Sequence, residues 1–243
     1  MGKIYVVGLG PGKEQMMTMQ AREALMDSDI IVGYKAYTEL IKSMYGDKEI
    51  IESAMRQEKD RCKKCLELAR EGKKVALICS GDAGVYGMAS PMLEVAGEDD
   101  LVEIEIVPGI SAAMSGAAVL GAPLNHDFCV ISLSDLLTPM ELIEKRLRCA
   151  MEGDFCVAIY NPSSHKRADY LKKACDIMLT IAKPDTCCGY VKNIGREGTC
   201  YELCTLEELR DKDVDMFTTV FVGNSKTKIV NGKLVTPRGY REA

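Results

Sequence analysis

Three short runs in the chain have residue types that hold a small ligand by backbone rather than by reactive side chains. Ser80-Gly81-Asp82-Ala83-Gly84-Val85-Tyr86-Gly87 follows the apolar run Val75–Cys79. Its loop therefore falls at the carboxyl end of a buried strand, where open α/β sheets keep their ligands. Two readings of it stand side by side. Either the loop holds a ligand, or Asp82 caps the helix expected from about Val85 and the glycines only permit the turn. Gly8-Leu9-Gly10-Pro11-Gly12 ends the alternating stretch Lys3–Val7, and Pro108-Gly109-Ile110-Ser111-Ala112-Ala113 ends Val102–Val107. The first is not a dinucleotide fingerprint. Pro11-Gly12 break the GxGxxG spacing, and the second strand, Ile30-Ile31-Val32, runs into Gly33-Tyr34 without an acidic residue, which speaks against NAD.

Other chemistries are poorly supplied. The two histidines, His126 and His165, are too few and too loop-like to build a nucleophilic triad, and eleven cysteines are an odd number for a disulfide framework. Most thiols sit in apolar patterns, as small hydrophobes do. Cys62-Lys-Lys-Cys65 has metal or redox spacing, but Met55, Cys62, Leu66 and Ala69 recur at helical intervals and no second CxxC completes a site. Core packing is the preferred reading, and no metal is expected. A formal charge of −5 disfavours a nucleic-acid surface. No apolar run is long enough to span a bilayer and no signal-peptide pattern opens the chain, so a cytoplasmic protein is expected.

At 243 residues the chain suits one large domain or two ordinary ones. Strands and helices alternate through the first half, which implies an α/β fold with a mainly parallel sheet. Helices are expected at Ala36–Met44, Met55–Arg70, Val85–Val95 and Ser111–Leu120. Pro123-Leu124-Asn125-His126-Asp127 reads as a linker, giving domains 1–122 and 123–243, the second with a mixed sheet. In it, strands are expected at Phe128–Ser132, Phe155–Tyr160, Thr186–Val191, Thr199–Cys204 and Phe217–Val222, with helices at Pro139–Met151 and Lys166–Ile181. Thr205 is the expected cap of a short helix, and Asn231-Gly232 has the signature of a two-residue hairpin.

The three glycine runs, in this order and at these distances, resemble the tetrapyrrole methylase family of S-adenosylmethionine-dependent enzymes over the whole chain. Gly81 to Gly87, Ile131-Ser132-Leu133-Ser134-Asp135-Leu136-Leu137-Thr138-Pro139 and Tyr160-Asn161-Pro162-Ser163-Ser164 are similar to the C17-methyltransferase branch of cobalamin biosynthesis. Two departures are Ala83, where the family has proline, and Ser163, where this branch has a basic residue. The resemblance implies S-adenosylmethionine in a cleft between the two domains. The positions matching its pocket are Pro11, Ser80, Gly81, Asp82, Val85, Ser111 and Ala112 from the first, and Asn161, Ile194, Thr218 and Thr219 from the second. It further implies a precorrin-3B or cobalt-precorrin-3 acceptor, methylation at C17 with ring contraction, and a homodimer.

Such a ligand needs no phosphate loop, since a sulfonium, an adenine and an amino acid can be held by amides and carbonyls at glycine turns. Methyl transfer is an in-line displacement, so alignment matters more than acid–base groups. Asp82, Tyr86 and His126 are candidates only as proton carriers near the cleft. For the polycarboxylate acceptor, Gly10 and Gly12 offer bare backbone. Ser163, Ser164, Lys166 and Arg167 would open a helix with free N–H groups, hydroxyls and cations. Arg196 and Lys35 are further cations; the alternative is an Asn-Pro turn capped by Ser164 with solvated charges. A methyltransferase acting on another corrin carbon, and a non-catalytic tetrapyrrole or metal carrier, remain the alternatives for function.

Overall fold

The computed structural model describes residues 2–98, 101–164 and 167–240. Its contacts divide the chain into Met1–Ala112 and Ala113–Ala243, so the helix Ala112–Leu120 goes almost wholly with the second unit, although the expected boundary followed residue 122.

The first unit runs β1 (Gly2–Gly8), α1 (Met19–Asp27), β2 (Ile30–Tyr34), α2 (Lys35–Thr38), α3 (Lys42–Tyr45), β3 (Glu49–Ser53), α4 (Glu58–Arg70), β4 (Lys74–Cys79), α5 (Ala89–Ala96) and β5 (Val102–Val107). Its five-stranded sheet has the order β3-β2-β4-β1-β5, with every pairing parallel. Successive strand residues face opposite sides. Ile4, Val6 and Leu77 pack with Cys62, Leu66 and Met92 of α4 and α5. Tyr5, Val7 and Ile78 pack with Leu25 and Ile41 on the other face. A parallel sheet covered on both sides needs such continuous apolar strands.

The expected helix over Ala36–Met44 is two short ones, α2 and α3. Met55 is 46 % exposed and precedes α4, so it does not share the buried stripe of Cys62 and Leu66. The two thiols of the CxxC pair are fully buried. Burial pushes Cys62 up to about 11 and Cys65 further. They pack as small hydrophobes.

The second unit runs α6 (Ala112–Leu120), β6 (Gly121–Ala122), β7 (Phe128–Ser132), α7 (Met140–Glu152), β8 (Cys156–Tyr160), α8 (Tyr170–Met178), β9 (Cys187–Lys192), β10 (Cys200–Thr205), α9 (Leu206–Leu209), β11 (Thr218–Val222), β12 (Lys228–Val230) and β13 (Lys233–Val235). The main sheet, β10-β9-β11-β8-β7, is mixed: β7 and β8 are parallel, and β11 is antiparallel to both its neighbours. Ile143, Leu147, Leu171 and Met178 of α7 and α8 cover one face. α6 is close to Phe221 and Ile194, since a Cβ on Gly116 would lie 2.7 and 2.9 Å from their side chains. The small residues of α6 therefore serve packing within the unit.

Thr205 caps α9 through a reciprocal capping box with Glu208. Asn231 and Gly232, at φ 49° and 70°, turn the hairpin β12–β13, and β13 pairs with β6. Both features match the sequence expectation.

Candidate functional site

Because the first sheet is parallel throughout, the loops after β1, β4 and β5 leave one edge, with β1 between the other two. Gly10 and Gly81 exchange backbone hydrogen bonds: Gly10 N–H donates to Gly81 O at 3.0 Å, and Gly81 N–H to Gly10 O at 2.7 Å. Asp82 ties in the third loop. Its Oδ2 accepts from Gly109 N–H at 3.0 Å, and its Oδ1 from Gly84 N–H at 2.8 Å. Both carboxylate oxygens thus serve to position backbone.

Asp82 is not a helix cap. α5 begins at Ala89 with Met88 at its N-cap, not at Val85 as expected. Tyr86 sits at φ 54°, outside the helical region, and Val85 and Tyr86 lie exposed in the bend before the helix. Their apolar character imitated a helix face.

The glycines here have different reasons. A Cβ on Gly109 would stand 2.1 Å from Gly81 O and 2.5 Å from Gly8 O, so the loops can close only on bare backbone. Gly81 has φ +70°, and a Cβ there would find nothing nearer than 3.8 Å, at Ala112 N and Ser111 Cα. A side chain at Gly81 would thus begin without a clash, in ordinary contact with Ser111 and Ala112. Gly10, Pro11, Gly12, Ser80, Gly81, Asp82, Val85, Ser111 and Ala112 all belong to these three loops or their immediate ends.

In the second unit the carboxyl ends of β7, β8 and β9 and the amino end of β11 share one edge. Asn161 stands there at φ 53° and donates through Nδ2 to Ser132 Oγ at 2.9 Å. Ser132 Oγ also accepts from Ser134 N–H at 3.2 Å, and Tyr160 OH accepts from Ala113 N–H at 2.7 Å. Ser132 and Tyr160 lie in the runs that carry the resemblance but are not among the site residues expected from the sequence. A polar side chain at the last position of an apolar strand was the available signal.

Neither the described residues 161–164 nor Arg167 belongs to a helix. α8 begins at Tyr170 with Asp169 at its N-cap, where the sequence led us to expect a start at Lys166. The Arg167 guanidinium reaches back instead: Nε donates to Ser164 Oγ at 3.0 Å, Nη1 to Ser134 Oγ at 2.8 Å, and Nη1 lies 3.6 Å from Asp135 Oδ1. Asp135 Oδ2 also accepts from Tyr170 OH at 2.7 Å, and that bond holds the Tyr170 phenol above its ordinary pKa. Arg167 is therefore a clamp between two loops, with its charge partly met by Asp135. Ser163 is buried, whereas Lys166, like His165, lies outside the described residues.

The remaining candidates are set by packing. Ile194 is buried against α6. Thr218 and Thr219 are buried at the start of β11, and Thr218 Oγ1 donates to Asp215 Oδ1 at 2.8 Å. His126 precedes β7, at the end of that strand opposite Ser132, and its Nε2 lies 2.7 Å from Pro237 O. That position removes it from the loop edge. Arg196 stacks its guanidinium 5.1 Å from the Phe217 ring centre.

Comparison with known proteins gives this arrangement a family. Residues 3–210 match the model of the Tetrapyrrole (Corrin/Porphyrin) Methylases. The probable cobalt-factor III C(17)-methyltransferase of Salmonella typhimurium is 48% identical over 238 residues, covering 98% of this chain and 99% of that protein. The precorrin-3B C(17)-methyltransferase of a Sinorhizobium species is 36% identical over 251 residues, covering 100% of this chain and 98% of that one. The crystal structure of the methyltransferase CobJ matches with a TM-score of 0.91 at 38% identity, covering 98% of this chain and 100% of that one. A parallel sheet whose glycine loops close edge to edge, and a match that runs through both units, lead to one conclusion: the chain belongs to the tetrapyrrole (corrin/porphyrin) methylase family.

Proposed function

We propose that this protein transfers a methyl group from S-adenosylmethionine to C17 of a precorrin-3B or cobalt-factor III type macrocycle, with the associated ring contraction, in cobalamin biosynthesis. The observation that carries this reading is the bare backbone at Gly81, held by the Gly10 bridge and flanked by Ser111 and Ala112, in a chain with near-half identity to a C(17)-methyltransferase over its full length. The residues fit the cofactor. A ligand without phosphates is held by amides, carbonyls and hydroxyls, and the loops after β1, β4 and β5 bring glycine backbone, Ser80 and Ser111 to one sheet edge.

When bound, S-adenosylmethionine supplies an electrophilic methyl carbon next to a sulfonium. This chain's own residues hold and orient. Asp82 fixes the loops through two N–H groups and so acts as a positioning residue, not as a base. Alignment of donor and acceptor can supply on the order of 7–11 kcal/mol of the barrier. On the second unit, Asn161 and the Arg167 clamp keep the loops after β7 and β8 in fixed shape. Assembly as a homodimer and a cytoplasmic location belong to the same proposal; the eleven free thiols suit a reducing compartment.

Isothermal calorimetry with S-adenosylhomocysteine should find one site per chain, and Gly81→Val should abolish it. Wild-type affinity in that variant would remove the loop from the site. An isotopically labelled methyl group should appear at C17 of the product by NMR. Label on another carbon would overturn the assigned position, and turnover of cobalt-loaded against metal-free acceptor decides the metal state. A monomeric mass by light scattering would overturn the dimer.

A further inference from the structure

Arg61 is a buried charge with no ion pair among the described residues. It lies on α4 and is 5 % exposed, yet its partners are neutral: Nε donates to Ser53 Oγ at 2.6 Å, Nη2 to Ala54 O at 3.1 Å, and Nη1 approaches Met88 Sδ at 3.5 Å. Among the described residues it makes no salt bridge. Buried charges are ordinarily paired, because an isolated one is expensive to desolvate. An arginine kept in this state has a reason to be looked for.

Its two oxygen partners, the Ser53 hydroxyl and the Ala54 carbonyl, form part of a wall. Ser53 and Ala54 line a cavity of about 700 Å³ at the carboxyl ends of β2 and β3, together with Lys35, Met55 and Gln57. This is the sheet edge from which the glycine loops also leave. Glu39 and Glu52 line the cavity as well, but Lys42 sits 2.5 and 3.0 Å from their carboxylates, and Thr38 donates to Glu52. Those bonds hold the Glu52 carboxyl below its ordinary pKa. Lys42 lies within contact distance of both carboxylates, while the exposed Lys35 ammonium acts on Glu52 only from a distance and makes no ion pair within 4 Å among the described residues. The rim is strained too. Arg56, between Met55 and Gln57, is exposed and held at φ 68°, an uncommon conformation for a residue other than glycine and one that gathers at functional sites.

We propose that this cavity is a carboxylate subsite, in which Lys35 contacts an acetate or propionate side chain of the acceptor and Arg61 holds the Ser53–Ala54 wall while adding a fixed positive field. The proposal rests on the reading of the acceptor as a polycarboxylate tetrapyrrole. It goes further by assigning one carboxylate to the first unit.

The test uses the full chain and uroporphyrin, a fluorescent polycarboxylate tetrapyrrole, followed by fluorescence titration alongside calorimetry with S-adenosylhomocysteine. Lys35→Ala should weaken uroporphyrin binding about tenfold, and Lys35→Glu by more, because a charge-assisted contact is lost and then replaced by repulsion. S-adenosylhomocysteine affinity and Tm should not move. Arg61→Met should shift uroporphyrin affinity in the same direction; if that variant fails to fold, the Lys35 pair decides alone. Wild-type uroporphyrin affinity in both Lys35 variants overturns the subsite and leaves the acceptor reading standing. A wild-type chain that binds S-adenosylhomocysteine but no tetrapyrrole sinks the acceptor reading and the subsite with it.

Discussion

The two loop edges solve one problem with different residues. Both need backbone in the left-handed region at the end of a strand. In the first unit Gly10 and Gly81 take it, at φ 73° and 70°; in the second, Asn161 and Asn193 do, at 53° and 51°. Glycine adds no side chain above the turn, as at Gly81, whereas asparagine fills that space and ties the turn to a neighbour, as Asn161 does to Ser132. The first edge is built to admit something against bare backbone. The second is built as a cross-linked wall, with Arg167 joining Ser134, Ser164 and Asp135.

The largest effect should come from closing the first edge against itself. Gly109→Val places a Cβ within 2.1 Å of Gly81 O, where no side-chain rotation relieves the clash. We expect a loss of about 3 kcal/mol or more, read as the urea midpoint. A near-native midpoint would show that the loops are not held as tightly as these contacts imply.

Gly81→Asn sharpens the comparison. Asparagine tolerates a positive φ, so stability should stay within about 1 kcal/mol of wild type. The side chain would still occupy the space beside Ser111 and Ala112, and S-adenosylhomocysteine affinity should fall by more than tenfold. Equal loss in stability and affinity would mean that strain, not occupancy, explains Gly81.

The second edge should respond through stability. Asn161→Gly keeps the backbone conformation and removes the bond to Ser132, a cost of about 1 kcal/mol. Asn161→Ala adds the left-handed penalty of roughly 1–2 kcal/mol. Chemical denaturation of both variants separates the two contributions, and identical values would deny the backbone its part.

Much of the first edge was legible because glycine marks its own conformation. The runs at Gly8–Gly12, Gly81–Gly87 and Gly109 stand out in the sequence, and the strands feeding them, such as Val102–Val107, fell where alternation and apolar runs put them. What failed was periodicity inside loops. Val85 and Tyr86 look like a helix face but lie in an exposed bend, and Arg167 looks like part of a helix but precedes the one that starts at Tyr170, its N–H donating to Ser164 O. The wall of the second edge was hidden for another reason. Ser132 and Arg167 act through partners more than twenty residues away in sequence, and spacing does not reveal such pairs.

A separate effect concerns pH, and here the two units should behave alike. Burial raises Cys79 and Cys129 to about 11 and Cys175 and Cys204 to about 12. In the unfolded chain these thiols ionise at about 8.5. Between those values the folded state binds more protons, so this contribution is intact below about pH 8.5 and is lost as pH rises toward the folded values. Urea midpoints measured from about pH 8 to about pH 10.5 should fall, and Cys175→Ala should flatten the slope. An unchanged slope in that variant would take Cys175 out of the account.

The strand order of the first unit also decides when it can fold. β1 lies between β4 and β5, so it has no partner until residues 74–79 have followed it and gains its second only with residues 102–107. At the usual pace of translation, about a hundred further residues mean a wait of roughly 5–20 s. Until then, one edge of the strand that carries Ile4, Val6 and Val7, all fully buried in the finished unit, remains unpaired on the nascent chain. That segment is where a ribosome-associated chaperone would act, and where a slowed or truncated synthesis before β5 would leave a sticky, unpaired edge.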